Sequence, residues 1–458
     1  MTDHGSLSAV SPLDGRYAAY TEPLRPYASE RALVAARVEV EIEYLLALAD
    51  LDATPVAVAG SDREQLRAVY REFDLEDARR VKQLETEGNE NRPATNHDVK
   101  AVEYFVRDRL PAHIGGEWVH FGLTSEDVTN IAYRLLLGPA AETVLGPRVR
   151  SLREELTAMA REHRGVPMLA RTHGQPATPT TFGKEFAVYA SRLGRAMAAL
   201  DRAVDGLSGK LAGASGSYAA HAAAYPGVDW PRFGREFVEG FGLEHEPLTT
   251  QVNPCDDLAA LFDALRRVNQ VLLDLALDCW LYISDGYLGQ EAVAGETGSS
   301  TMPHKVNPID FENCEGNLSK ANSDLRFLGD YLTNSRLQRD LSDSTVKRNI
   351  GAALAHCLLG YRKLEGGLDT VVPNEQVTRA ALESTPEVLG EAVQTILRRE
   401  GHEDAYERVR TLTRGREVTL AEFRDLFREL DVSADVREEL LALTPAGYTG
   451  LADELVDS

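Results

Sequence analysis

The chain has 458 residues, of which 43% are hydrophobic and 26% charged, and its formal net charge at pH 7 is −23. This length allows two or three domains with a large buried core, and the hydrophobic content excludes a disordered chain. The acidity argues against nucleic acid as a partner, since phosphate backbones need clustered cations. No stretch has 18 consecutive apolar residues and the N-terminal residues lack a basic stretch followed by an apolar one, so we predict no membrane span, no membrane partner, no secretory signal and a cytoplasmic location.

Apolar residues recur every three or four positions along several segments, which predicts amphipathic helices. The clearest patterns run from Phe182 to Val204 and from Leu258 to Ile283, and the second corresponds to a helix of about 30 residues or about 45 Å. Alternation with a period of two, as in strands, is hard to find. In chain order, the predicted helices cover residues 28–50, 139–163, 182–204, 258–283, 310–332 and 344–366.

Helices of this length need partners along their whole apolar faces, so we predict a mostly α protein with a central bundle of long helices that also packs against copies of itself. Proline and glycine gather near residue 112 and glycine near residue 366, where we place soft domain boundaries. The predicted division is an N-terminal helical domain at 1–112, a central long-helix domain at 113–365 and a C-terminal helical domain at 366–458.

Two predicted helix starts in the first third of the chain carry polar side chains. In "ATNHDVKAVEYF", His97 and Asp98 stand at a helix start, where an acidic side chain suits the helix dipole. In "FGLTSEDVTN", Thr124 and Ser125 precede another helix, and Thr124 with Asp127 matches a loose capping box. Capping alone explains each start taken singly, and a ligand site is the alternative.

Two later segments combine turns with polar groups. In "RTHGQPATPTTFGKE", His173 lies in a polar, proline-interrupted turn between two predicted helices, with Gln175 close by. In "GETGSSTMPHKVNP", Asn307 is a candidate N-cap with Pro308 at the first helical position and Lys305 just upstream. A helix start with a nearby cation is a suitable place for a carboxylate or phosphate. A hydrogen-bonding histidine and an ordinary capped helix are the alternatives.

Taken together, these four polar helix starts suggest one pocket for a multiply anionic ligand. From the residues alone, His173 or His97 would serve as acid or base, and Lys305 would hold negative charge. A serine base would not be chosen on this ground, because a hydroxyl titrates far above neutral pH. No HxxxH, HExxH or CxxC pair is present and the four cysteines are widely spaced, so we predict reduced thiols, no metal and no cofactor.

The segment "GSSTMPHKVNP" resembles the signature loop of the fumarase, aspartase and argininosuccinate lyase superfamily, whose pattern is GSSxMPxKxNP. Within that superfamily, "AVSPLDGRY", "TNHDVKAVEY", "TSEDVTN", "RTHGQPATPTTFGKE" and "STVKRN" are similar to the adenylosuccinate lyases, in the correct order from near the N-terminus to residue 349. The resemblance implies release of fumarate from N6-succinyl-AMP and from the succinylated carboxamide ribotide of purine biosynthesis. It also implies a homotetramer whose active sites are shared between subunits.

The resemblance supplies roles that the residues alone do not. Ser299 is implied as the general base and His173 as the acid that protonates the departing nitrogen. Glu312 matches the acidic residue that pairs with the catalytic histidine, and His97 matches a second active-site histidine. Lys305 is a candidate to hold the charge that develops on the substrate carboxylate.

Substrate contacts are implied as well, with Arg16 and Tyr17 at the phosphate, where the forked donors of arginine are suitable. One departure from the family pattern is the segment "ETEGNENRPATNHD", which is longer than expected before His97. The implied substrate-binding positions are Arg16, Tyr17, Asn96, His97, Asp98, Thr124, Ser125, Gln251, Ser300, Lys305, Asn307, Asn313, Arg339, Ser344, Thr345 and Arg348.

Three questions stay open at this level. An argininosuccinate lyase shares fold and mechanism, but its substrate has no phosphate, so the Arg16-Tyr17 pair and "STVKRN" favour a nucleotide. A structural protein that kept the lyase fold would not need Ser299, His173 and Lys305. The chain has 8 Lys against 41 Arg, which suits either a protein adapted to high salt or a GC-rich genome that favours arginine codons.

Overall fold

The computed structural model describes residues 6–291, 302, 305–414 and 418–458. These residues are mostly helical, which confirms the predicted class. The α-helices are α1 Ala18–Thr21, α2 Arg25–Ala28, α3 Glu30–Ala49, α4 Gly60–Arg71, α5 Leu75–Thr86, α6 Asp98–Arg107, α7 Ser125–Ala140, α8 Gly146–Glu162, α9 Phe182–Asp205, α10 Ala219–Ala224, α11 Trp230–Glu239, α12 Asp256–Ser284, α13 Ile309–Leu332, α14 Ser342–Lys347, α15 Ile350–Leu368, α16 Glu375–Glu383, α17 Gly390–Arg399, α18 Ala405–Thr413, α19 Leu420–Glu429 and α20 Ala434–Ala442. No helix within this described part is long and apolar enough to cross a membrane.

Strands in the described ranges form small two-stranded sheets. The strands are β1 Gly88–Asn89, β2 Arg92–Pro93, β3 Pro167–Thr172, β4 Gln175–Thr181, β5 Ser208–Gly209, β6 Glu244–His245, β7 Leu288–Gln290 and β8 Val371–Pro373. Three of these sheets are antiparallel, β1 with β2, β3 with β4 and β7 with β8, whereas β5 and β6 are parallel. Short 3₁₀ turns lie at Ser6–Ser8, Glu22–Leu24, Gly116–Trp118, Pro386–Leu389, Pro445–Gly447 and Glu454–Asp457.

Four predicted helices are confirmed within two residues at each end, as α3, α9, α12 and α13. The predicted helix at 139–163 is wrong at its start, because helical backbone begins at Ser125 and continues through a π-turn at Ala141–Leu145 into α8. Pro139 lies just before that turn and has no N–H to donate, so the regular α ladder is interrupted there.

The predicted helix at 344–366 is also wrong in detail, because it is two helices, α14 and α15. The break lies at Arg348 and Asn349. The N–H of Asn349 donates to the carbonyl of Val346 over 2.9 Å, a tighter three-residue turn that ends α14.

The described residues divide into two compact units, and the predicted three-domain division stays a prediction. The first unit has a core between α3, α4, α5 and α6, in which Val38, Ile42 and Phe105 are buried. Burying each such side chain contributes about 1.5–3 kcal/mol. The units take their described residues from Met1–Val149, Ala196–Gln270 and Gly316–Gly360, and from Arg150–Arg195, Val271–Glu315 and Tyr361–Ser458.

Helix α3 places the polar groups of the first unit, because it packs against both α6 and α7. Several polar or charged side chains of α3 lie among its buried apolar ones, and Arg37, Glu41 and Tyr44 are all buried. The second unit has a separate apolar cluster formed by α17 to α20, with Leu397, Phe423 and Phe427 buried at its centre.

Candidate active site

His97 is the N-cap of α6, which confirms the predicted helix start. Its ring Nδ1 accepts a hydrogen bond from the N–H of Lys100 at 3.2 Å. In the neutral ring the proton is therefore on Nε2, which lies 3.5 Å from the hydroxyl of Ser125. The imidazole is exposed, so this proton-carrying nitrogen can reach a ligand.

The segment before His97, which we expect to be longer than the family pattern, forms a small hairpin of β1 with β2. Asn89 closes its turn by accepting hydrogen bonds from the N–H groups of Asn91 and Arg92, each at 2.9 Å. Asn96 then has a φ of 48°, a left-handed conformation that asparagine tolerates better than most residues. Its N–H donates to the carbonyl of Glu85 at 2.9 Å, which fixes the approach to α6.

Asp98 is held by two arginines. Its Oδ2 lies 2.9 Å from Nη1 of Arg37 and 3.4 Å from Nη2 of Arg348. Burial raises the pKa of Asp98, but the charge and hydrogen bond of Arg37, with a smaller effect of Arg348, outweigh it and the pKa is lowered. The carboxylate is thus ionised, and both arginines contact the same oxygen of it.

The start of α7 has the predicted capping box. The carboxylate of Asp127 accepts the N–H of Thr124 at 2.8 Å, so the helix entry is fixed. Asp127 is itself buried and also accepts the N–H of Ala212 at 2.9 Å and pairs with Lys210 at 2.8 Å. This rigid start directs Ser125 toward His97.

His97, Asp98 and Ser125 line one cavity of about 670 Å³ in the first unit, together with Arg37 and Arg348. Eight of the predicted site residues are in its wall: Asn96, His97, Asp98, Ser125, Gln251, Arg339, Ser344 and Arg348. Four other predicted residues belong to the same unit but do not line this cavity within the described part of the chain: Arg16, Tyr17, Thr124 and Thr345. The contact of Arg16 and Tyr17 with a phosphate stays a prediction.

Several buried charges in the cavity wall were missed by sequence reasoning. Arg37 donates to Thr129 as well as to Asp98, and Lys347 pairs with Glu126. A charged residue inside an apolar helical stretch was the available signal for Arg37 in α3. For Lys347 the signal was its place in the "STVKRN" motif, in a chain with only 8 lysines.

His173 lies in the second unit, at the tip of the β3–β4 hairpin. The predicted turn between two helices is confirmed, but the two strands on either side of it were not predicted. Thr172 pairs with Gln175, and His173 and Gly174 have φ values of 54° and 73°. Positive φ at both central residues is typical of a type I′ hairpin turn. A histidine in this conformation is uncommon, and its ring is exposed at the tip.

Four further predicted residues lie in the second unit around the start of α13. The first helical residue is Ile309, so the predicted N-cap at Asn307 is one residue too early. Lys305 is exposed just before it, and Asn313 lies within the first turns. Glu312 accepts a hydrogen bond from Nε1 of Trp280 at 3.2 Å. Ser299 and Ser300 are outside the described residues.

Known proteins match this sequence along nearly the whole chain. Residues 15–322 match the family described as Lyase, and residues 335–449 match the family described as Adenylosuccinate lyase C-terminal. The chain is 43% identical over 458 residues to the adenylosuccinate lyases of Haemophilus influenzae and Escherichia coli, covering 99% of this chain and 98% of each relative. It is 42% identical over 460 residues to that of Dictyostelium discoideum, covering 97% of both chains.

Solved structures show the fold. A fumarate lyase from Mesorhizobium sp. BNC1 superposes with a TM-score of 0.76 at 21% identity, covering 95% of this chain and 96% of that one. A 3-carboxy-cis,cis-muconate lactonizing enzyme from Pseudomonas putida superposes with a TM-score of 0.75 at 22% identity, covering 96% and 97%. The helical architecture is thus that of the lyase superfamily.

Proposed function

Since this chain belongs to the adenylosuccinate lyase family, we propose that it releases fumarate from N6-succinyl-AMP, leaving AMP, and from the succinylated aminoimidazole carboxamide ribotide of purine biosynthesis. It is a carbon–nitrogen lyase. The observation that carries this function is the cavity of the first unit, which joins an N-cap histidine, helix-start hydroxyls and several cations in one wall. Such a wall suits a ligand with both a phosphate and carboxylates.

The reaction is a β-elimination. A base removes a proton from the succinyl carbon that lies α to one carboxylate and β to the nitrogen. The electrons of that C–H bond form the carbon–carbon double bond of fumarate, while those of the C–N bond go to the nitrogen, which an acid protonates. We assign the base to Ser299 and the acid to His173, with Glu312 orienting the histidine.

Proton removal is the difficult step, because it places further negative charge on a group that is already ionised. Lys305, Asn307 and the N-terminus of α13 are assigned to hold that charge. Lys305 is exposed, so its side chain is accessible to a substrate at the surface of its own unit. These roles follow the family motif, residue by residue.

In the cavity of the first unit, His97 and Ser125 are assigned to the succinyl part and Arg339 and Arg348 to the anionic groups of the nucleotide. Arginine presents several N–H donors in one plane, which matches the oxygens of a phosphate. Gln251 is fixed on both sides, donating to the carbonyl of Ala214 at 2.9 Å and accepting from Arg339 at 3.1 Å. A fixed amide discriminates between ligands better than a mobile one.

The assembly we propose is a homotetramer with active sites shared between subunits. Large apolar side chains remain exposed along α12, among them Leu277, Trp280 and Leu281. An apolar stripe of this kind on a long helix favours packing against another copy. His173 at an exposed hairpin tip is well placed to be donated to a neighbouring subunit.

The test is a direct assay. Purified protein mixed with adenylosuccinate should shift the ultraviolet spectrum to that of AMP, and an independent enzymatic assay should detect one fumarate for each AMP. The same protein should leave argininosuccinate unchanged. Turnover of argininosuccinate without turnover of adenylosuccinate would overturn the assignment, and no turnover of either would favour a structural protein that kept the fold.

A further inference from the structure

The wall of the cavity contains a lysine that is almost completely buried. The side chain of Lys347, in α14, is 2% exposed. Its Nζ lies 2.9 Å from Oε1 of Glu126 and 2.8 Å from Oδ2 of Asp343. Burial lowers the pKa of Lys347, but the two carboxylates outweigh burial and raise it. The ammonium is therefore charged, and two carboxylates accept hydrogen bonds from it.

The second oxygen of Glu126 faces a different cation. Oε2 lies 3.7 Å from Nη2 of Arg339, a longer contact than the one to Lys347. The other end of the same guanidinium donates from Nη1 to Gln251 at 3.1 Å. Glu126 thus stands between a buried lysine and an arginine that faces the cavity, and both Glu126 and Arg339 are in its wall.

We infer that Lys347 is a positioning residue, which neutralises Glu126 and so leaves the charge of Arg339 available to the anionic group of the substrate. This rests on the proposed function. A carboxylate that is 2% exposed must have a cation close to it, because an unpaired buried charge is costly. Without Lys347, the nearest remaining cation in the wall is Arg339, and the attraction grows as the distance shortens. Arg339 would then be drawn inward, away from the ligand.

The test is direct binding of AMP, measured by calorimetry on the intact protein, so that it does not depend on catalysis. Lys347→Met removes the charge and keeps an unbranched side chain that is only one atom shorter. Loss of one charge-assisted contact to phosphate should weaken AMP binding by roughly tenfold to a hundredfold. The KM for adenylosuccinate should rise in proportion, whereas kcat should change by less than about threefold.

The chain offers a matched control in Lys210→Met. Lys210 is also fully buried and pairs with Asp127, the residue next to Glu126, but it does not line the cavity. If loss of a buried lysine only loosens the fold, both variants should lose AMP affinity in step with their melting temperatures. Our inference expects Lys210→Met to lower the melting temperature while AMP affinity stays within about threefold of wild type.

Rescue separates the mechanism from a general loss of stability. Adding Glu126→Gln to Lys347→Met removes the charge that captures Arg339, so AMP affinity should return to within about threefold of wild type. An unchanged affinity in Lys347→Met, or no recovery in the double variant, would overturn the inference. Wild-type protein that binds no AMP would instead overturn the proposed function, so the two failures are distinguishable.

Discussion

His120 and Glu41 form an ion pair that stabilises the loop leading to α7, the helix that carries Ser125 of the candidate site, and its loss should be measurable. Nδ1 of His120 lies 2.5 Å from Oε1 of Glu41, whose side chain is 0% exposed. Burial lowers the pKa of His120, but Glu41 outweighs burial, Glu103 and Asp127 act in the same direction, and the pKa is raised. The backbone at His120 is left-handed, with a φ of 62°.

Removing one partner of a buried pair costs about 3–5 kcal/mol, because the other charge stays buried without compensation. Since the folded state binds the proton of His120 more tightly, this stabilisation is complete below the unfolded pKa of about 6.5. It is lost as the pH rises through the raised pKa of the folded state. His120→Gln should therefore destabilise the protein most at acid pH and progressively less in alkaline buffer.

The measurement is thermal melting, followed by circular dichroism from pH 6 to pH 9, for wild type and His120→Gln. At about 1 °C for each kcal/mol in a chain of this length, the melting temperature at pH 6 should fall by roughly 3 °C or more. The difference between the two proteins is the quantity to follow, since other histidines titrate in both. Glu41→Gln in the His120→Gln background should recover part of the loss. A difference that is constant across this pH range would refute the reasoning.

Three other predictions concern catalysis, assembly and salt. Ser299→Ala should abolish turnover while AMP affinity stays within about threefold of wild type, because the hydroxyl is needed for proton removal only. Turnover within about tenfold of wild type would contradict the assigned base. His173→Ala should also be inactive. Reassembly of this variant with Ser299→Ala should restore roughly a quarter of the wild-type activity if the two residues reach each site from different subunits. No recovery of activity in mixed tetramers verified by mass spectrometry would contradict shared sites. If the acidic, lysine-poor surface is an adaptation to salt, the melting temperature should rise from millimolar to molar salt, and a flat profile would favour codon usage.

The long helices could be predicted because one of their faces is buried along many turns. In α12, apolar residues at helical spacing are buried from Leu258 to Cys279. The β3–β4 hairpin could not be predicted in the same way. Its strands are buried at the base, near Pro167 and Thr181, and exposed at the tip, so the apolar and polar residues separate along the strands and do not alternate.

The candidate site divides along similar lines. Helix starts with N-cap residues such as His97 and Thr124 could be predicted, because capping is a local interaction within four residues. The pairs Arg37 with Asp98 and Lys347 with Glu126 could not, since they join residues that are 61 and 221 positions apart. A charged residue in a helical pattern is usually exposed, and only the folded chain shows which charges are buried.

The charges of the cavity wall follow an order that favours the proposed binding of an anion by an acidic protein. Lys347 and Arg37, whose side chains are 2% and 6% exposed, have carboxylates within 2.9 Å. Arg339 and Arg348, at 19% and 53% exposed, have their nearest carboxylates at 3.7 and 3.4 Å. The buried cations are thus compensated within the protein, while the accessible ones keep donors for a ligand. Because screening is weak at these short distances, we expect the local arrangement to decide whether an anion binds, although the net charge of the whole chain is −23.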